Sequence, residues 1–309
     1  MEVFETVILG CGSATPTPIH LPSCQVVNMR GKLFMVDCGE GAQLSFRQQK
    51  LNMNDLQAIF ISHLHGDHCF GVPGLISTLS MLGRTQSLHI YAPDDYETLL
   101  QPTLDFFCKG LEFEVVYHRV NPQQTEVVYE DRTVTVRTLP LQHRLPCCGY
   151  LFEEHAVLPH IRKDMIDFLH IPVFAIRGIK EGQSWTDENG RVWTSEELTR
   201  PSYAPRTYAY CSDTMYFPEL ANTLKTLHPE GLDLLYHEAT FAEEHKSRCK
   251  ETFHSTARQA ARIACDSGAK KLLIGHYSAR YNDSKILLDE AKTVFPNTFA
   301  ANEGLKFEI

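Results

Sequence analysis

Ile59-Phe60-Ile61-Ser62-His63-Leu64-His65-Gly66-Asp67-His68 is the stretch on which the reading of this chain turns. Four good metal ligands, His63, His65, Asp67 and His68, sit within six residues of one another. They follow an apolar run, Ala58 to Ile61, that reads as a short buried strand. In an extended strand end the alternate positions 63, 65 and 67 point the same way, whereas a helix would scatter them. Gly66 supplies a sharp turn that brings His68 round to the same cavity. Imidazole and carboxylate together suit zinc or a similar divalent ion, and Asp67 beside His68 leaves a place for a second ion. A merely His-rich surface loop is the competing reading; four ligands at this spacing behind a buried strand weigh against it.

The same arrangement recurs further along. Asp213 follows the strand-like run Thr207 to Cys211, His276 follows Lys271 to Ile274, and His143 lies just past Thr133 to Leu139. His237-Glu238-Ala239-Thr240 closes the run Leu232 to Tyr236. Open α/β folds collect active-site groups at strand ends, so these candidates are expected on one rim of the molecule. Asp37 ends the strand Lys32 to Val36 and either supports a metal ligand from behind or caps the helix expected over Ala42 to Gln49. Further helices are expected over Val72 to Leu82 and Tyr96 to Phe107. Phe113 to Val120, Glu126 to Tyr129 and Thr133 to Leu139 read as strands of one antiparallel set. His254-Ser255-Thr256 opens a helix, with Ser255 or Thr256 as its cap. Residues 155–205 differ in character, with a helix-like run His160 to Leu169, then Ile171-Pro172, Arg177-Gly178 and a polar hairpin-like segment with Asn189-Gly190, and read as an excursion from the core.

Composition sets the outer limits. The 309 residues are 43% apolar and 22% charged, ordinary for a globular chain with ample core. A formal charge of −9 excludes the broad basic footprint of general nucleic-acid binders, so an RNA ligand would need a local positive patch. None of the ten cysteines stands in a C-x-x-C pair. The N-terminus reads as a strand and not as a secretion signal, and no run of about 18 apolar residues is present to span a membrane. A cytoplasmic, thiol-reducing location is the expectation.

Ser62 to His68 together with His143, Asp213 and His276 resemble the ligand series of the metallo-β-lactamase superfamily in order and approximate spacing. Within it the chain resembles the ribonuclease Z family, which removes the 3′ trailer from precursor tRNA. The segments that carry this resemblance are Gly12-Ser13-Ala14-Thr15-Pro16-Thr17, Asp37-Cys38-Gly39-Glu40-Gly41, the run Gly66 to Leu75, His237 to Thr240, and His254 to Thr256. The likeness spans nearly the whole chain and its length matches the short form of the family.

The resemblance implies an α/β, αββα four-layer sandwich with two mixed sheets flanked by helices, one domain over 1–309 with a protruding arm inserted at 155–205. It implies two zinc ions, one held by His63, His65 and His143, the other by Asp67, His68 and His276, with Asp213 bridging. Asp67 would orient or deprotonate the attacking water, His254 would act as general acid, and Glu238 would orient His254 or a ligand. The arm would grip precursor tRNA, with Arg162, Lys163, Arg177 and Lys180 as candidate contacts, and the protein would be a homodimer. The arm departs from the family pattern in carrying Ile171-Pro172 and Arg177-Gly178 where a Gly-Pro tip is usual. Two other readings stand beside this one. The first is a two-zinc phosphodiesterase or esterase acting on small substrates. The second is a non-catalytic RNA-binding scaffold, against which the complete ligand set argues.

Overall fold

The computed structural model describes residues 1–93 and 96–309. Its strands are buried on both faces, and their alternation decides which layer each side chain joins. Phe34, Val36, Ala58 and Phe60 point into a core shared with the second sheet, whereas Met35, Ile59 and Ile61 point the other way, towards helices.

The first sheet runs Lys306–Glu308, Phe4–Gly10, Cys24–Met29, Lys32–Val36, Leu56–Phe60, Leu88–Pro93, Val115–Val120. Its first four strands pair antiparallel, and from Lys32–Val36 onward the pairing is parallel. The second runs Thr298–Ala300, Leu272–Gly275, Leu234–Glu238, Thr207–Cys211, Cys147–Glu154, Val134–Leu141, Val127–Glu130. There the first four strands are parallel, and Cys147–Glu154 joins them antiparallel. Between the sheets Phe60 meets Phe34, Tyr91, Tyr150 and Phe152, with ring centroids 4.9–6.2 Å apart. Helices Ala42–Gln48, Val72–Met81 and Tyr96–Phe107 bury Phe46, Leu75, Ile76, Leu79, Leu100 and Leu104 on the outer side of the first sheet. Helices Pro218–Leu227, Ala257–Ser267 and Lys285–Lys292 are their counterparts on the second sheet, where Leu224, Ala260, Ala264 and Leu287 join its core cluster.

One strand assignment differs from the sequence reading. Val115–Val120 is not in an antiparallel set with its successors; it is the parallel edge of the first sheet, while Val127–Glu130 and Val134–Leu141 form a hairpin in the second. Helix Tyr96–Phe107 supplies the crossover a parallel pair requires, and periodicity within a strand does not disclose which neighbour it will choose.

The chain divides into two compact units: Glu2–Glu153 with Arg206–Ile309, and Glu154–Pro205 with Met1. The smaller unit has its own apolar centre of Leu169, Ile171, Ile179 and Leu198. Trp185–Thr186 and Val192–Trp193 form a short hairpin around Asn189-Gly190. Arg177-Gly178 lies inside helix Val173–Lys180. A Cβ on Gly178 would meet only the amide end of the flexible Gln183 side chain, and the glycine does not break the helix.

Candidate metal centre

The strand Leu56–Phe60 ends before Ser62, and His63 and His65 follow in extended backbone. The expected alternation stops there. Gly66–Cys69 is a single helical turn, and it is this turn that carries Asp67 and His68. A Cβ on Gly66 would stand 2.3 Å from the edge of the exposed Phe70 ring, so glycine lets that ring lie against the turn. From the second sheet come His143, two residues past Val134–Leu141, Asp213, two past Thr207–Cys211, and His276, directly after Leu272–Gly275. His276 has φ 61°, a left-handed conformation uncommon for a residue with a Cβ and found disproportionately at functional sites.

These elements bring all seven expected ligands together. His63, His65, His143 and Asp213 place one donor atom each within 4.8 Å of one another, and Asp67, His68 and His276 form a second such group. Asp213 faces both: Oδ2 lies 3.7 Å from His63 Nε2 and 3.8 Å from His143 Nε2, while Oδ1 lies 3.4 Å from His68 Nε2 and 3.0 Å from His276 Nε2.

The bonds made by the backs of the rings determine what the fronts can do. His68 Nδ1 lies 2.7 Å from Asp37 Oδ2, His143 Nδ1 2.9 Å from the Phe253 carbonyl, and His276 Nδ1 2.9 Å from Thr240 Oγ1. His63 Nδ1 lies 3.0 Å from Ser62 Oγ. Donation outward from Nδ1 leaves each Nε2 with a lone pair facing the cluster, the arrangement metal-binding histidines adopt. His65 is turned the other way, its Nδ1 lying 2.9 Å from His63 Nε2 and 3.2 Å from His143 Nε2. Lone pairs crowded this closely need a cation among them. His68 Nε2, His276 Nε2 and Asp213 Oδ1 are moreover buried without any hydrogen-bond partner. Buried polar atoms are seldom left so, and the donor set fits divalent metal.

Electrostatics agrees. Burial drives the imidazoles of His63, His65 and His143 below their ordinary pKa, keeping them neutral. Burial opposes charge on His68 too, but the carboxylates of Asp213, Asp37 and Asp67 outweigh it and raise that ring. Against burial, the neighbouring His68 and His276 hold Asp67 and Asp213 well below the usual carboxylate range.

Asp37, which the sequence left between two roles, turns its carboxylate to His68 and not to the following helix, whose cap is Gly41. Its backbone is left-handed, φ 55°, and the same carboxylate accepts from Ser62 N, Ser62 Oγ and Tyr210 OH at 2.7–2.9 Å. Glu238 is fully buried. Its Oε1 lies 2.9 Å from His254 Nδ1 and accepts from Ser255 N at 3.0 Å, and its Oε2 accepts from Thr240 N and Oγ1. Burial works against a charged His254, but the Glu238 carboxylate carries its pKa up to about 9. Thr256, not Ser255, caps the helix Ala257–Ser267, in a reciprocal box with Gln259. One ring nitrogen of His254 stands within 4.8 Å of donor atoms on Asp213 and His276.

A cavity of about 520 Å³ opens over the cluster, walled in part by Ser13, Ala14 and Thr15. Three arginines the sequence reading passed over, Arg144, Arg248 and Arg280, also line it. Arg144 donates to the Glu251 carbonyl and Arg280 to Ser278 Oγ; among the described residues none of the three meets a carboxylate. They come from separate segments, and only the K-S-R-C-K run before His254 hinted at such a patch. Of the arm residues singled out earlier, Arg162 pairs with Asp164 and Arg177 with Glu181, both at 2.8 Å, and Lys163 and Lys180 lie in the helices Lys163–Phe168 and Val173–Lys180.

A ribonuclease Z of Bacteroides fragilis is 56% identical to this chain over 305 residues, covering 99% of each. A ribonuclease Z of Parabacteroides distasonis is 50% identical over 309 residues and the full length of both. A family model described as anti-Pycsar protein Apyc1 matches residues 4–160. Among solved structures, human tRNase Z, short form, superposes with a TM-score of 0.70 at 24% identity over 98% of both chains. The metallo-β-lactamase fold protein YhfI of Bacillus subtilis does so at 0.67 and 20% identity over the whole of both. These two likenesses establish the fold.

Proposed function

The chain belongs to the ribonuclease Z family, and on that premise we propose that its seven converging side chains hold two zinc ions with which it cuts the 3′ trailer from precursor tRNA. It is an endoribonuclease and a phosphodiester hydrolase, metal-dependent like its family, acting on tRNA precursors and leaving a 3′-hydroxyl on the tRNA and a 5′-phosphate on the trailer. The observation that carries the metal reading is the convergence of seven donor side chains in two close groups, with His68 Nε2, His276 Nε2 and Asp213 Oδ1 buried, turned towards one another and left without a hydrogen bond.

In this reading His63, His65 and His143 hold one ion, Asp67, His68 and His276 the other, and Asp213 serves both. Bound there, a pair of divalent ions supplies a water acidified to near neutrality and neutralises charge gathering on the phosphate. The side chains do the rest. Asp67 orients the attacking water or takes its proton. His254 has Nδ1 engaged by Glu238, so its proton at Nε2 is the one offered to the departing 3′-oxygen. Asp37, Thr240 and the Phe253 carbonyl hold His68, His276 and His143 in the tautomer that leaves Nε2 free. Arg144, Arg248 and Arg280 answer the difficulty raised by the net charge of −9: cations without carboxylate partners among the described residues ring the cavity, and RNA needs attraction only there.

The Glu154–Pro205 unit is the arm in this reading, with Lys163 and Lys180 as its cations for phosphate and Val173 and Phe174 exposed at the start of a helix. Large exposed apolar side chains on the helices covering the first sheet, Met81, Leu99, Phe106 and Phe107, support assembly as a homodimer. No helix among the described residues is long and apolar enough to cross a membrane. All ten cysteines are unpaired, which supports a thiol-reducing compartment and so the cytoplasm.

The test is direct. The purified protein is incubated with a trailer-bearing precursor tRNA, alone, with chelator, and with chelator followed by zinc, and the product ends are mapped. Cleavage at the trailer junction that chelator abolishes and zinc restores is the expected result; cleavage indifferent to chelator refutes the metal assignment.

A further inference from the structure

A second cavity, about 600 Å³, adjoins the first and shares His254 as a wall. It lies between the helices Lys246–Thr252 and Ala257–Ser267, which present Lys246, Lys250, Arg258 and Arg262 to it. Lys246 is occupied by Glu243 at 2.8 Å and Arg262 by Asp266 at 3.0 Å. Lys250 and Arg258 have no carboxylate within ion-pair distance among the described residues, and both are exposed. Half-buried Tyr216 adds an aromatic side chain to the lining. A volume in the usual range for small-ligand pockets, an aromatic side chain and two uncommitted cations are what a nucleotide asks of a protein surface.

Chemical polarity then says which nucleotide. In hydrolysis that leaves a 3′-hydroxyl on the tRNA, the phosphorus departs with the trailer and the protonated oxygen belongs to the tRNA side. His254, offering its Nε2 proton to that oxygen, stands against the last tRNA nucleotide. The second cavity, which is lined by His254 but by none of the seven converging side chains, is therefore the one on the tRNA side of the scissile bond. We propose that this second cavity seats the 3′-terminal nucleotide of the tRNA half, with Arg258 and Lys250 taking the phosphates upstream of it. The trailer lies across the first cavity. This rests on the trailer-cleavage reading and adds to it a direction and a pair of contacts.

The test uses the intact enzyme and its two products separately. One probe is the tRNA ending at the cleavage point, without trailer and without added nucleotides; the other is the 5′-phosphorylated trailer oligonucleotide. Each is titrated as an inhibitor of precursor cleavage by wild type, Arg258→Ala and Lys250→Ala over a range of salt. Inhibition by the tRNA product is expected to weaken about fivefold in each variant, with a salt slope shallower by roughly 0.7–0.9, as for one lost phosphate contact. Inhibition by the trailer is expected to stay as in wild type. Equal weakening for both products, weakening for the trailer alone, or no change overturns the subsite. A wild type that cleaves no precursor overturns the parent reading instead, which separates the two failures. Both side chains are on the surface, and Arg258→Lys should restore most of the affinity, which a folding defect would not allow.

Discussion

Thr240 Oγ1 lies 2.9 Å from His276 Nδ1, and it donates its own proton to Glu238 Oε2 at 2.7 Å. One hydroxyl thus ties a ligand-bearing ring to the carboxylate that holds His254. Thr240→Val keeps the shape and removes the hydroxyl. Metal affinity, read by competition with a chromogenic chelator, should fall about 10- to 100-fold, the usual scale for losing such a support, and Thr240→Ser should recover it. Unchanged affinity in the valine variant would show that the ring is held by packing.

His254→Ala should retain the full metal content by elemental analysis while single-turnover cleavage of precursor tRNA slows by at least about a hundredfold, as expected for loss of a general acid. A rate within a few-fold of wild type would assign proton delivery elsewhere.

Removal of metal should loosen the fold as well as stop the reaction. The lone pairs of His63, His65 and His143 converge with Asp213, and Asp67, His68 and His276 form a second close group beside them. Anything bound there stabilises the native state by mass action. Chelator-stripped protein should therefore melt several degrees below the zinc-loaded form in a thermal scan, by rough linkage arithmetic. Coincident melting curves would contradict a high-affinity site.

Away from the site, Asp131 organises the hairpin between Val127–Glu130 and Val134–Leu141. Its carboxylate accepts from Thr133 N, Thr133 Oγ1, Val134 N and Tyr129 OH, and meets Lys32 at 2.5 Å. Burial would raise its pKa, but Lys32 and the Thr133 bonds outweigh burial and depress it far below the ordinary value. A depressed native pKa means stability that is present above the unfolded pKa, near 4, and lost as pH falls towards the native one. Asp131→Asn should cost about 1 kcal/mol at pH 7, allowing for solvent screening, and the gap between the two proteins should begin to narrow below about pH 4 and go on narrowing as the pH falls further. Urea titrations at pH 7, 4 and 2 check this; a gap no smaller at pH 2 than at pH 7 would make the effect steric.

The convergence of the seven side chains was legible in the sequence because the segments that carry them follow apolar runs that read as strands. Strand ends on one rim then do the gathering, as for His143, Asp213 and His276. The sandwich itself was legible only through the family resemblance. What escaped depends on contacts between distant segments. Val115–Val120 chooses Leu88–Pro93 as its neighbour, and nothing inside either strand announces the pairing. Arg144, Arg248 and Arg280 are ordinary surface residues until three loops meet. The Phe253 carbonyl that supports His143 is a backbone atom, offered by a left-handed residue of φ 59°, and no residue type encodes it.

The helical turn and loop carrying His63, His65, Asp67 and His68 belong to the first sheet, whereas His143, Asp213 and His276 belong to the second. The reactive centre consequently straddles the seam of the sandwich, and its register is only as good as the grip of one layer on the other. A creep of about an ångström between layers is enough to cost two orders of magnitude in turnover. Core substitutions around Phe60 and Phe152, remote from any chemistry, should then blunt catalysis well before they unfold the chain, and a small molecule wedged into that seam would inhibit without touching the mouth.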